Sequence, residues 1–251
     1  MRSVLLTLLL LTLLILPVSA DTFIIQAVND SYLTNTSLST SWQLLRDATL
    51  ATGTINNPSV VYDVRTIAHA STSGNYTSMT RYGITFPTSV SLSGYAVDSV
   101  ILRQKYVSKS VALQGRNNIS LVSGSPGNGR NFVGSDYNKF GTTDLAPQIN
   151  FTTLTGDINF TLNSVGISYI NTGGDTTFYI MDSDEATNSF SGTWGASANR
   201  NIRTYPVGST SSADRPYLEV VAHISADTTP PDSITGLTNT TATTCNSINW
   251  T

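Results

Sequence analysis

The chain has 251 residues, with 13 Lys or Arg against 16 Asp or Glu, a formal net charge of −3. So mildly acidic and charge-poor a composition, with no basic patch, argues against a nucleic-acid partner. Its single cysteine, Cys245, excludes an internal disulfide, so stability must come from an apolar core, for which roughly 200 residues are ample. Cys245 itself is left to pair beyond the C-terminus or with another chain, or to remain a free thiol.

At the start, Arg2 is followed by the apolar run Val4–Val18 and then by Ser19-Ala20, the charged, apolar and small-residue regions of a secretory signal peptide. The run falls short of the roughly twenty residues that a spanning helix needs. We therefore expect a signal peptide over 1–20, a mature chain from about Asp21, and a secreted or cell-surface location. No later stretch is long and apolar enough to span a bilayer, so no transmembrane segment is expected after cleavage.

Polarity in the mature chain is carried by Ser, Thr, Asn and Gly, a mix that disfavours helix and suits short strands joined by polar turns. Residues 22–28 read as a first strand and 29–42 as a polar connection. Trp42 to Ala51 is ambiguous between helix and strand, and strand is preferred for want of a clear cap. Residues 59–70 read as a strand. The clearest stretch is Arg81–Val107: Tyr82, Ile84 and Phe86 alternate with Arg81, Gly83 and Thr85, the period of a half-buried strand, and Val100 and Leu102 open a second arm. A ten-residue loop with Pro87 and Gly94 separates the arms, which reads as a loosely closed pair of strands. Further strands follow at 117–124, in two short pieces within 149–162, at 176–184, 201–207 and 215–224; 162–170 is strand or short helix. Residues 125–141 form a long Gly/Asn loop, and loops of that length in compact domains are often functional. About ten short strands with turns between them and no long amphipathic helix indicate an all-β jelly-roll-type sandwich.

Arg81 before the strand ending at Phe86, the strand Val97–Leu102, and the closing Arg215-Pro216-Tyr217-Leu218-Glu219-Val220 resemble the DNRLRE-type domain. The resemblance runs from about Thr22 to Ser225 and implies a jelly-roll sandwich of a secreted prokaryotic protein, related to a family of carbohydrate-binding modules. The chain departs from that pattern in an extended N-terminal portion, Ser31 to Gly74. After Ser225 the composition changes: 226–233 is a Pro-bearing linker, and 234–251 resembles the opening of a fibronectin type III-like domain, of the kind found in tandem on archaeal surface proteins. A whole such domain needs about 100 residues, so the second β domain is truncated here.

His69 and His223 both sit in strand-like runs, and the motifs of hydrolase elbows, zinc proteases and phosphate-binding loops do not occur, so no catalytic residue is expected. The acidic run Asp182-Ser183-Asp184-Glu185 reads first as a solvated loop. Its functional alternative is calcium, for which Asp182, Asp184 and Glu185 are the candidate oxygen ligands; no other cofactor is expected. Sugar recognition combines an aromatic platform with short polar groups. Tyr137 and Trp194, with Asn131, Asp136, Arg200 and Asn201, are the candidate parts, weighed against Trp194 plugging one end of the sandwich. Asn29, Asn35, Asn75, Asn118, Asn150, Asn159, Asn239 and Asn249 head Asn-x-Ser/Thr sequons and are candidate glycosylation sites. The expected function is a non-catalytic structural or adhesive surface module whose partners are other surface proteins; the alternative is a carbohydrate-binding module for envelope or environmental polysaccharide.

Overall fold

The computed structural model describes residues 19–56, 62–69, 72–111, 117–127, 129–150, 152–190 and 199–225. Residues 1–18 of the expected signal peptide, the expected linker 226–233 and second-domain opening 234–251, Trp194, Asn239 and Asn249 lie outside the described residues.

The protein is an all-β sandwich. One sheet has four antiparallel strands in the order β1 (Asp21–Gln26), β13 (Tyr217–Ile224), β6 (Tyr95–Gln104) and β10 (Ile158–Thr161). The larger sheet runs β7 (Tyr106–Val111), β12 (Asn199–Thr204), β4 (Tyr62–His69), β5 (Tyr76–Phe86), β11 (Thr176–Asp182), β8 (Asn118–Ser123) and β9 (Ile149–Asn150). Onto β5 is added β2 (Asn29–Thr40), which in turn carries β3 (Gly53–Asn56).

Alternation along the strands fills the space between the sheets. Ile25, Val100, Leu102, Ile158, Phe160, Leu218, Val220 and Ala222 come from the smaller sheet; Tyr82, Ile84, Phe86, Ile119, Leu121, Phe178, Ile180 and Ile202 come from the larger. The smaller sheet keeps its other face toward solvent, where Ile24 is exposed and Arg103 pairs with Glu219 at 2.8 Å.

Three expectations need correction. The two arms of Arg81–Val107 are strands, but they do not pair with each other. The five-residue helix Thr88–Leu92 and the turn at Gly94, which has φ +81° and so suits glycine, carry the chain from the larger sheet to the smaller. The polar stretch 29–42 is mostly β2, paired with β5 from Asn29 opposite Thr85 to Thr36 opposite Ser78. Its Ser, Thr and Asn favour turns, but threonine is also a good strand former, and pairing with a long central strand decides the matter. Trp42–Arg46 is a helix, α1, and the cap is present: Ser41 Oγ accepts a hydrogen bond from the Leu44 N–H at 3.3 Å. The ambiguous segment at 162–170 also resolves as a helix, Ser164–Tyr169, with Asn163 Oδ1 accepting from the Gly166 N–H.

The half-buried reading of β5 fails as well, because both of its faces are covered: Arg81, Gly83 and Thr85 are as buried as Tyr82, Ile84 and Phe86. Over the far face of the larger sheet lies the 125–141 loop, whose Phe132 and Tyr137 join Leu33, Val122, Tyr179, Met181 and Ala186 in a second apolar core. Phe132 meets Tyr179 edge to face, with centroids 5.8 Å apart. The ring occupies the space that glycine leaves at position 83, where an added Cβ would lie 2.4 Å from it.

This fit makes a test of the covered face. Gly83→Ala is expected to destabilise by about 1–3 kcal/mol through overpacking. In a Phe132→Ala background the same change should cost well under half as much, as read from urea unfolding of the four proteins of the cycle. An unchanged cost would mean that Phe132 does not lie over Gly83.

Candidate functional site

The chemistry-bearing side chains gather under the loop cover and at its edge. β5 brings Arg81 into the second core, where its guanidinium has no exposure. Arg81 Nε donates to Glu185 Oε1, Nη1 to the Tyr137 carbonyl, and Nη2 to the Arg46 carbonyl at 2.5 Å. Its carbon centre stands 3.7 Å from the Tyr137 ring centroid and 4.3 Å from that of Phe140. One cation thus ties a sheet strand to α1, to the loop cover and to the short helix Ser183–Ala186.

A second buried cation sits beside it. Arg200 Nη2 lies 2.6 Å from Asp182 Oδ2 and 3.5 Å from Asp184 Oδ2. Asp182 also caps the Ser183–Ala186 helix, its Oδ1 accepting from the Asp184 N–H at 2.8 Å. Burial pushes the Asp182 carboxyl up to about 7, against the pull of Arg200. Burial likewise raises Glu185, opposed by Arg81. The acidic run is therefore no solvated loop: Asp182, Ser183, Asp184 and Glu185 are all buried. Asp182 and Glu185 face different arginines, and among the described residues no group of three His, Cys, Asp or Glu side chains is placed to hold a metal ion.

The residues expected to bind sugar do not meet in one open site. Tyr137 is fully buried, its hydroxyl donating to the Leu45 carbonyl at 3.1 Å. Asp136 folds the loop on itself, accepting from the Gly127 N–H at 2.8 Å and the Val133 N–H at 2.9 Å. Asn131 is exposed, Arg200 belongs to the buried ion cluster, and Asn201 Nδ2 donates to Asn199 Oδ1. Of the two histidines, His223 lies 2.9 Å from Asp98 Oδ1 on the solvent face of the smaller sheet, while the side chain of His69 is outside what the structure describes.

A different aromatic set forms the edge of an open groove of about 460 Å³. Trp42 of α1 stacks on Phe190 at 4.9 Å with an interplanar angle of 12°, and Tyr76 meets Phe190 edge-on at 5.5 Å. Ser41, Gln43 and Asn188 add hydroxyl and amide groups to the wall. Asn188 holds φ +51° directly after the Ser183–Ala186 helix, the left-handed position that ends helices and that asparagine tolerates. The signal in the sequence was Ser41 ahead of Trp42-Gln43-Leu44-Leu45-Arg46, a cap and a short helix that present Trp42 on one side.

A further buried carboxyl lies at the rim of the main core. Asp30 Oδ2 accepts from the Tyr82 hydroxyl and from the Val207 N–H at 2.9 Å, with no cation among these partners. Oδ1 has no hydrogen-bond partner among the described residues. Burial pushes the Asp30 carboxyl up from 3.8 to about 6.

No protein-family model matches the chain, and no curated protein does. Among the described residues, no helix is long and apolar enough to cross a membrane.

Two measurements test this account. Glu185→Met or Arg81→Met alone leaves a buried group without its partner and should cost about 3–5 kcal/mol in urea unfolding, while the Arg81→Met/Glu185→Met pair should cost much less than the sum. A sum that is simply additive would show that the two groups do not interact. For Asp30, the folded carboxyl holds its proton more tightly than the unfolded one, so its contribution is complete below pH 3.8 and is lost as pH rises through about 6. The melting temperature should accordingly fall between pH 4 and pH 7, and Asp30→Asn should remove up to about 3 kcal/mol of that dependence.

Proposed function

We propose that the chain is a non-catalytic, exported β-sandwich module with a structural or adhesive role at a cell surface, working beside other surface proteins. The observation that carries this reading is the use made of the buried charges. Arg81, Glu185, Arg200 and Asp182 are spent on locking a loop layer and two short helices onto the larger sheet. A body clamped on both faces of its central sheet suits a spacer or contact domain that must hold its shape between neighbours. The signal-peptide pattern at the start, and the resemblance of 22–225 to the DNRLRE-type domain and of 234–251 to a fibronectin type III-like opening, support the same reading.

A second reading has its own observation. The groove at Trp42, Tyr76 and Phe190 joins aromatic carbon to the amides of Gln43 and Asn188 and the hydroxyl of Ser41. Trp42 and Tyr76 are themselves buried, so the apolar patch that could meet the C–H face of a sugar ring is the partly exposed Phe190, with polar groups beside it for the hydroxyls, in a volume within the range of small-ligand sites. This supports a carbohydrate-binding module for envelope or environmental polysaccharide, with the site at the α1 edge and not in the 125–141 loop.

One experiment separates the two. Labelled chain is bound to cell envelopes before and after enzymatic removal of their polysaccharide, alongside Gln43→Ala and Asn188→Ala variants. A structural or adhesive module working through protein contacts should be retained to the same extent in all cases. Retention that drops at least about tenfold with the polysaccharide, and with either variant, is the signature of the sugar reading. Absence of retention throughout would remove the adhesive role.

A further inference from the structure

The open groove beside α1 has a wall without charge. None of the residues that line it among the described residues is ionisable at neutral pH, from Ser41 and Gln43 to Asn188 and Phe190. The stretches that supply them, 31–45, 70–80 and 186–199, contain no Asp, Glu, Lys, Arg or His. Of the charged residues that bound these stretches, Asp30, Arg81, Glu185 and Arg200 are buried. Arg46 is spent on its neighbours: its Nη1 lies 2.6 Å from Asp47 Oδ1, and its Nε donates to the Glu185 carbonyl at 2.9 Å.

What the wall offers a ligand is one aromatic ring and short-range hydrogen bonding. Phe190 is the partly exposed ring, backed by Trp42, which stacks on it at 4.9 Å. The face of such a ring is negative, so it attracts polarised C–H bonds and repels an anion. Gln43 Nε2 is committed to Asp47 Oδ2, which leaves Gln43 Oε1 as an acceptor for a hydroxyl. Ser41 Oγ accepts from the Leu44 N–H, which leaves its own proton to donate, and the exposed Asn188 carries both kinds of group. A carboxylate, sulfate or phosphate entering here would give up water and meet no cation in return.

We infer that the groove takes an uncharged saccharide, with one pyranose held against Phe190, and discriminates against uronic, sulfated and phosphorylated chains. The inference rests on the sugar-binding reading of this groove and narrows it to a ligand class. Recognition of this kind has no long-range electrostatic attraction behind it, so its affinity is insensitive to salt.

The test uses full-length chain and matched ligand pairs: short neutral gluco-, manno- and galacto-oligosaccharides, each beside the same oligosaccharide oxidised at C6 to the uronate. Binding is read by isothermal titration calorimetry from about 50 to about 500 mM salt. At least one neutral oligosaccharide should bind, its oxidised partner about tenfold or more weaker, with less than about a twofold change across the salt range. Phe190→Ala, checked for folding by its melting curve, should weaken neutral binding about tenfold. Gln43→Ala, at an exposed helix position outside the aromatic stack, should weaken it several-fold. An oxidised chain bound as tightly as its neutral partner, or affinity that falls as salt rises, would overturn the inference while leaving a sugar-binding groove. Neutral binding that neither variant weakens would overturn its placement at Phe190. No binding by any pair would remove the sugar reading itself, and this inference with it.

Discussion

The two faces of β5 depend on one cation. Arg81 stands where a half-exposed strand would place a solvated side chain, yet it is enclosed, and an enclosed guanidinium is tolerable only if its donors are met. Glu185 and the carbonyls of Tyr137 and Arg46 meet them, and each comes from a different piece of chain. The loop cover, α1 and the helix after β11 are thereby drawn to a single point. The aromatic rings of Tyr137 and Phe140 complete the enclosure. Apolar contacts of Phe132, Tyr179 and Leu33 supply the attraction that gathers this layer, but they are non-directional; the guanidinium sets where its parts stop.

That arrangement changes the meaning of the long Gly/Asn loop. Length and composition suggested a displayed binding loop, whereas it is the outer wall of a second core, with Asp136 bracing its turn and Tyr137 closing on Arg81. The acidic run moves in the same direction. Its carboxylates are inside, set against Arg81 and Arg200, and burial raises Asp182 and Glu185 toward the neutral form. Among the described residues, an open groove is found elsewhere, beside Trp42.

Charge in this protein is scarce, and much of it is internal. With only 13 cations in the chain, placing Arg81 and Arg200 wholly inside leaves a surface dominated by hydroxyls and amides. A surface of that kind has weak long-range fields, so partner choice falls to short-range contact, stacking and hydrogen bonding, which agrees with either reading of the module as a contact domain or a sugar binder.

Alternation alone was enough to determine the strands that face the main core. Tyr82, Ile84 and Phe86, or Leu218 and Val220, declare an inward face because a period of two admits no other arrangement. The all-β class followed, since no segment carries a long helical apolar stripe. The sequence could not say which strands pair, because β5 and β6 are neighbours in the chain and yet belong to different sheets, a choice made by the helix between them and by the partners each finds. Nor could it say that Arg81 is buried. Its pattern is that of any strand with a polar outer face, and only the arrival of Phe132, Tyr137 and Glu185 from positions 51 to 104 residues away turns that face into an interior. Local spacing records which side of a strand is apolar; what covers the other side is a property of distant chain, and the tertiary structure alone decides it.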